Sequence, residues 1–171
     1  ILLASTLLVF ANGKDEEDAS GPVMLEGYES ATAAGVTVQW QVDGDMLNIQ
    51  ISAPTDGWVA VGFDPSNKMK DANILIGFVK GGEVFLRDDY GIGQVRHGAD
   101  EDNGGTNNLT NIQGDETDDG TMISFTIPLD SGDALDKVLV PGQTYKIIAA
   151  QGSKDDYGSI HAKRGSTEID L

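Results

Sequence analysis

The chain of 171 residues contains no cysteine. Disulfides, thiolate metal sites, cysteine nucleophiles and covalent attachment of a c-type haem are therefore excluded. Histidine is nearly as scarce: His97 and His161 are the only two. No His-x-x-x-His spacing exists, so nothing points to a zinc site of the usual convergent kind. A Gly-x-Ser-x-Gly nucleophile elbow is missing, and so is a glycine-rich phosphate loop ending in Lys-Ser or Lys-Thr. Positive charge is short as well, with 11 Lys and Arg against 28 Asp and Glu, a net charge of −17. Such a surface repels phosphate backbones and anionic lipid heads, which disfavours nucleic acid and membrane-surface binding. It suits solubility, cation binding or docking to a basic protein partner. Helix-favouring runs of Ala, Leu, Glu and Lys are also missing.

What is present is a series of short apolar stretches divided by Gly, Asp and Asn clusters, the composition of an all-β domain. The length suits one domain with a real core. Residues 1–13 begin with Ile1 to Ala11, an apolar run too short to cross a bilayer as a helix but of the right length for a secretory signal. Ala11 and Gly13 are small residues at the −3 and −1 positions of a cut before Lys14. The expectation is a signal-peptide remnant and an exported protein: periplasmic, cell-surface or extracellular. The other readings are a strand of the domain, or a retained segment through which copies self-associate. Residues 14–22 hold the charged run Lys14 to Ser20 and read as a polar linker. The folded unit is expected over residues 23–171, with no membrane span.

Strand signals follow in order. Val36, Val38 and Trp40 alternate with Thr37 and Gln39, and Asp43-Gly44 turns into Leu47, Ile49 and Ile51, so this pair reads as a hairpin. Gly57 to Phe63 is apolar on both faces, as in a central buried strand. Ala72 to Val79 is another, joined through Gly81-Gly82 to Glu83–Asp89. Gly91 to Asn108 reads as a long loop. Leu109–Thr117, Thr121–Ile127, Thr144–Ala150 and Thr167–Leu171 complete about nine strands, the pattern of an antiparallel sandwich. The only helix candidate is Ser131–Lys137.

Few residues carry chemistry. Acidic clusters at Asp100-Glu101-Asp102, Asp115–Asp119 and Asp155-Asp156 could offer Ca²⁺ loop oxygens, though none matches an EF-hand. Met69 stands out, flanked by Lys68, Lys70 and Asp71 just before a buried strand. It reads either as a plug for the core or as a soft thioether ligand. Methionine paired with histidine is an axial ligand set for haem iron that raises the reduction potential, and His161 lies far along the chain.

Several motifs then fall in order: Gly57-Trp58-Val59-Ala60-Val61-Gly62-Phe63, Met69, Ala72-Asn73-Ile74 and Asp88-Asp89-Tyr90. After them come Phe125-Thr126-Ile127-Pro128-Leu129, Ser131-Gly132-Asp133, Ala149-Ala150-Gln151-Gly152, and His161 with Arg164-Gly165. Together, over roughly residues 25–171, they resemble the DOMON domain family, which includes the haem b cytochrome domain of cellobiose dehydrogenase. The resemblance implies an immunoglobulin-like antiparallel β-sandwich. It also implies haem b held without covalent bonds, with Met69 and His161 as iron ligands. Trp58, Phe63 and Tyr90 would line the slot with Ile74, Ile76, Phe78 and Phe85. Lys70 and Arg164, with Lys68 and Lys163, would pair with the propionates. One departure is Ile127, where many members carry Arg.

Two functions follow from this reading. One is an electron-transfer module, not an enzyme, serving a redox partner that is basic. The other is a redox-silent module that binds a sugar or other small ligand in the same slot, since some members of the family bind no haem.

Overall fold

The computed structural model describes residues 24–171. The apolar segment 1–13 and the linker 14–22 expected from the sequence lie outside the described residues. The strands are β1 (Glu29–Ala33), β2 (Val36–Asp43), β3 (Met46–Ala53), β4 (Val59–Phe63), β5 (Asn73–Lys80), β6 (Glu83–Gly93), β7 (Arg96–Ala99), β8 (Thr110–Thr117), β9 (Gly120–Pro128), β10 (Thr144–Gln151) and β11 (Lys163–Asp170). One 3₁₀ turn, Asp100–Asn103, follows β7. They form two antiparallel sheets, in the orders β1-β2-β3-β9-β8 and β11-β10-β4-β5-β6-β7. Among the described residues no helix is long and apolar enough to cross a membrane.

The sandwich follows from the period-2 pattern. Val36, Val38 and Trp40 of β2, Leu47, Ile49 and Ile51 of β3, and Ile123, Phe125 and Ile127 of β9 face inward. They meet Val59, Val61 and Phe63 of β4, Leu75 of β5 and Ile147 of β10 from the other sheet. Side chains on two inner faces interlock in this way to make the core of a β-sandwich. Ile127, where the sequence departs from the family, is part of this core and only 4% exposed. Hairpin turns carry the residues their geometry requires. Gly81 and Gly82 both have positive φ, +61° and +82°, as a two-residue type I′ connection between paired Lys80 and Glu83 demands.

The structure differs from the sequence expectations at four places. β1 was not expected; its segment Glu-Ser-Ala-Thr-Ala is mostly polar and exposed, because it is an edge strand paired only with β2. Within the expected loop Gly91–Asn108, β7 pairs with the end of β6 through an irregular register. β11 begins at Lys163 rather than Thr167. No helix forms over residues 131–137. There the Asp130, Ser131 and Asp133 side chains accept the backbone N–H groups of Gly132, Asp133 and Leu135, which competes with helix formation.

Candidate functional site

The six-stranded sheet is apolar on its outer face as well as its inner one. Trp58, Ala60, Ile74, Ile76 and Phe78 alternate with the core-facing residues of β4 and β5 and form a second buried cluster. Met69, Ile148, Ala150 and Tyr157 pack against it. An outer face of a sandwich is usually solvated and polar. Here it is built to be covered, and the coverings are the β4–β5 and β10–β11 connections.

The β4–β5 connection presents Met69. Residues Lys68 and Asp71 flank it with φ of +56° and +62°, conformations that cost energy for non-glycine residues and mark an over-determined loop. The loop is held from several sides. Lys70 N–H donates to the Asn67 carbonyl at 3.0 Å, and Asp71 N–H to the Gly91 carbonyl at 2.8 Å. Gly91 N–H returns a bond to the Ala72 carbonyl at 2.9 Å. A Cβ on Gly91 would overlap the Met69 carbonyl oxygen, so β6 approaches the turn this closely only because residue 91 has no side chain. The Asp71 carboxylate accepts from Ser66 Oγ at 2.5 Å and from the Tyr90 hydroxyl at 2.9 Å. These bonds, Ser66 first, hold the Asp71 carboxyl below its usual range.

The β10–β11 connection brings Tyr157 and His161. Gly152 lies under Trp58, where any Cβ would strike the indole. The Trp58 Nε1–H donates to Ser159 Oγ at 2.9 Å. Asp156 accepts the N–H groups of Gly158 and Ser159 at 2.9 and 2.6 Å, which shapes the turn. The Tyr157 ring then tilts against Phe78 with centroids 5.1 Å apart, and the Arg87 guanidinium sits 4.2 Å from the Tyr157 centroid. His161 is half-buried at the end of this connection. Its Nε2 lies 3.3 Å from Arg164 Nη1. Arg164 pairs with Ala150, Ala150 with Ala60, and Ala60 with Ile76. Directly paired residues point to one side of a sheet, so Arg164 belongs to the outer face on which Trp58 and Met69 lie.

Of the expected slot residues, Trp58, Ile74, Ile76 and Phe78 are therefore brought together with Met69. Phe85 stacks on Phe78 at 5.1 Å on the same face. Phe63 is not: it is 1% exposed in the inter-sheet core, because its parity on β4 is that of Val59 and Val61. Tyr90 has core-side parity too, opposite Asn73, and its hydroxyl is tied to Asp71. Lys70 is exposed and 3.8 Å from Asp71. Sequence reasoning passed over Tyr157, Gly91 and the Arg87–Asp89–His97 group. Asp89, fully buried, accepts from Arg87 at 2.5 and 2.8 Å and sits 2.5 Å from His97 Nδ1. Burial pushes its carboxyl up, but the bonds from His97 and Arg87 and their charge outweigh this and leave it lowered.

A haem held by a Met/His pair calls for a thioether and an imidazole, with an apolar surface and cations for its carboxylates. The residues present fit. Met69 supplies a half-buried thioether packed on the apolar face, His161 a half-buried imidazole beside Arg164, and Arg164 a cation on the same side of the sheet.

The DOMON domain family matches residues 33–152. That span includes Trp58, Met69 and Gly152 and ends before His161. Among solved structures, the cytochrome b domain of pyranose dehydrogenase from Coprinopsis cinerea is similar. It shares 14% identity over 80% of this chain and 77% of its own, with a TM-score of 0.60. At that identity the likeness is one of fold.

Proposed function

This chain belongs to the DOMON domain family, matched over residues 33–152, and from that premise we propose that it is an exported haem b-binding electron-transfer module with Met69 and His161 as axial ligands. The observation that carries the reading is the apolar outer face of the six-stranded sheet with the Met69 thioether packed on it. Bound there, haem b would supply one-electron transfer, with Met69 and His161 as the residues that would hold its iron. The chain's own residues have distinct parts. The clamped turn around Gly91 fixes where Met69 stands. Trp58, Ile74 and Ile76 exclude water, which tunes a haem potential through the local dielectric. Arg164 and Lys70 offer cations to carboxylates. The module is non-catalytic, and its net charge of −17 suits a basic redox partner, with association rates that fall as salt rises.

The test is the visible spectrum of purified protein, oxidised and reduced, with and without added haemin, for wild type, Met69→Ala and His161→Ala. The expected result is a low-spin spectrum in the wild type that becomes high-spin or disappears in each variant. A folded wild type that stays colourless and takes up no haemin overturns the reading. It would turn attention to the redox-silent alternative, a small ligand on the same face.

A further inference from the structure

A second group of side chains lies at the end of the sandwich, on the inner side of the six-stranded sheet. Asp88 of β6 stands opposite Leu75 and shares its core-side parity. Asp100 opens the 3₁₀ turn after β7, and Asp136 belongs to the β9–β10 connection. One carboxylate oxygen from each lies within 4.8 Å of the other two. Asp88 and Asp100 are 2% and 1% exposed. No ion pair reaches any of the three among the described residues. Lys137, next in sequence to Asp136, turns to Asp64.

Neutral donors satisfy only part of this group. Asp136 accepts from Asn73 Nδ2 at 2.8 Å, Asn108 Nδ2 at 3.0 Å and Ser131 Oγ at 2.6 Å. Asp88 Oδ2 accepts the Asn108 N–H at 3.3 Å. Four oxygens remain buried without a hydrogen-bond donor: Asp88 Oδ1, both oxygens of Asp100, and Asn73 Oδ1. The last is independent of the carboxylates. Asn73 is 6% exposed. It uses its amide nitrogen to bind Asp136 at the cluster's edge, which leaves an amide oxygen there with nothing to accept from. Native proteins rarely leave such groups unpaired, and an ion is one of the standard explanations.

We propose that Asp88, Asp100, Asp136 and the Asn73 side-chain oxygen form a Ca²⁺ site. All the donors are hard oxygens, the set that suits Ca²⁺ and Mg²⁺ rather than zinc or copper. Mg²⁺ usually keeps several waters and takes only one or two carboxylates, whereas Ca²⁺ accepts six to eight oxygens in a flexible shell, so three converging carboxylates and an amide oxygen suit the larger ion. The ligands come from β5, β6, the turn after β7 and the β9–β10 connection, so the ion would fasten two long connections to the sheet. Of the acidic loops singled out in the sequence, only Asp100 takes part. The site is separate from the outer face and does not depend on haem.

The test uses the full chain stripped with a chelator and dialysed, titrated calorimetrically with CaCl₂ and melted with and without 1 mM CaCl₂ or MgCl₂. Wild type should bind one Ca²⁺ and gain about 5 °C or more in Tm at a hundredfold excess over Kd, with a smaller gain from Mg²⁺. Asp100→Asn should lose the calcium gain, yet melt no lower than calcium-free wild type, because it removes a buried, unpaired acid. No heat and no Tm shift in wild type up to 10-fold more calcium (about 10 mM, far above sensor-type affinities) overturns the site. So does a calcium gain that survives in both Asp100→Asn and Asp88→Asn, which would place the ion on the acidic surface.

Discussion

At Gly91 the Met69 carbonyl occupies the space a side chain would need. Gly91→Ala is expected to push the turn off β6 at a cost of about 1–3 kcal/mol, in the range for overpacking. Because the turn carries Met69, the same variant should alter the haem spectrum while His161 is untouched. Chemical denaturation and the absorption bands read the two effects separately. A second residue-level expectation concerns Asp89, buried between Arg87 and His97. Asp89→Asn leaves Arg87 without its carboxylate and should cost about 2–4 kcal/mol, below the range for fully buried pairs because both partners keep some exposure. Equilibrium unfolding in urea checks it. Met69 and His161 could be singled out from sequence because they are rare residue types in unusual company. Gly91 could not, since it opens a stretch rich in glycine and acid where one glycine looks like another. Asp100 was legible as one of several acidic loops, but its partners Asp88 and Asp136 were not: pairing of β5 with β6 and the path of two long connections bring the three together.

At the scale of elements, β4 and β5 announced themselves. A run that is apolar at every position must be buried on both faces, and the outer cluster is the consequence. β2, β3 and β9 were legible for the simpler reason that their apolar residues alternate. β1 and β7 were not, because edge strands need no apolar pattern once a neighbour supplies the hydrogen bonds. The β10–β11 connection was the largest omission. Without an apolar period to mark it, it nevertheless folds back on the sheet and places Tyr157 between Phe78 and Arg87. Tyr157→Ala should therefore lose about 1–2 kcal/mol, the sum of an aromatic pair and a partly exposed cation–π contact. It should also expose residues 152–162 to protease well before the strands are cut, which timed limited proteolysis with mass mapping would show. A cleavage pattern identical to wild type would mean that Trp58 and Ser159 alone hold the connection down.

Over the whole molecule, the acidic balance makes stability depend on pH in two opposite ways. Burial, then the nearby Asp136, push Asp88 up to about 8, and burial and the same neighbour push Asp100 up to about 7. An unfolded aspartate titrates near 3.9. Between these values the folded chain binds more protons than the unfolded one, so the slope of unfolding free energy with pH is negative. With divalent cations removed, stability should fall as pH rises from about 4 to about 8. Asp88 and Asp100 face each other across the same cluster, so their protons leave as a coupled set, and the loss is on the order of a few kcal/mol rather than the sum of two independent sites. Asp89 works in the other direction. Its lowered carboxyl contributes stability that is complete above the unfolded value and lost as pH falls through its folded one. The calcium-free protein should accordingly be most stable near pH 4–5. Added NaCl would relieve repulsion among the exposed acids but leave the slope above pH 5, which arises from buried groups beyond the reach of screening. Calcium should flatten that slope, because an ion bound to the carboxylates favours their charged forms. Urea unfolding at pH 5 and pH 8, in chelator and in calcium, measures all four corners. Equal stability at the two pH values in chelator would mean that the cluster carries its charge without cost.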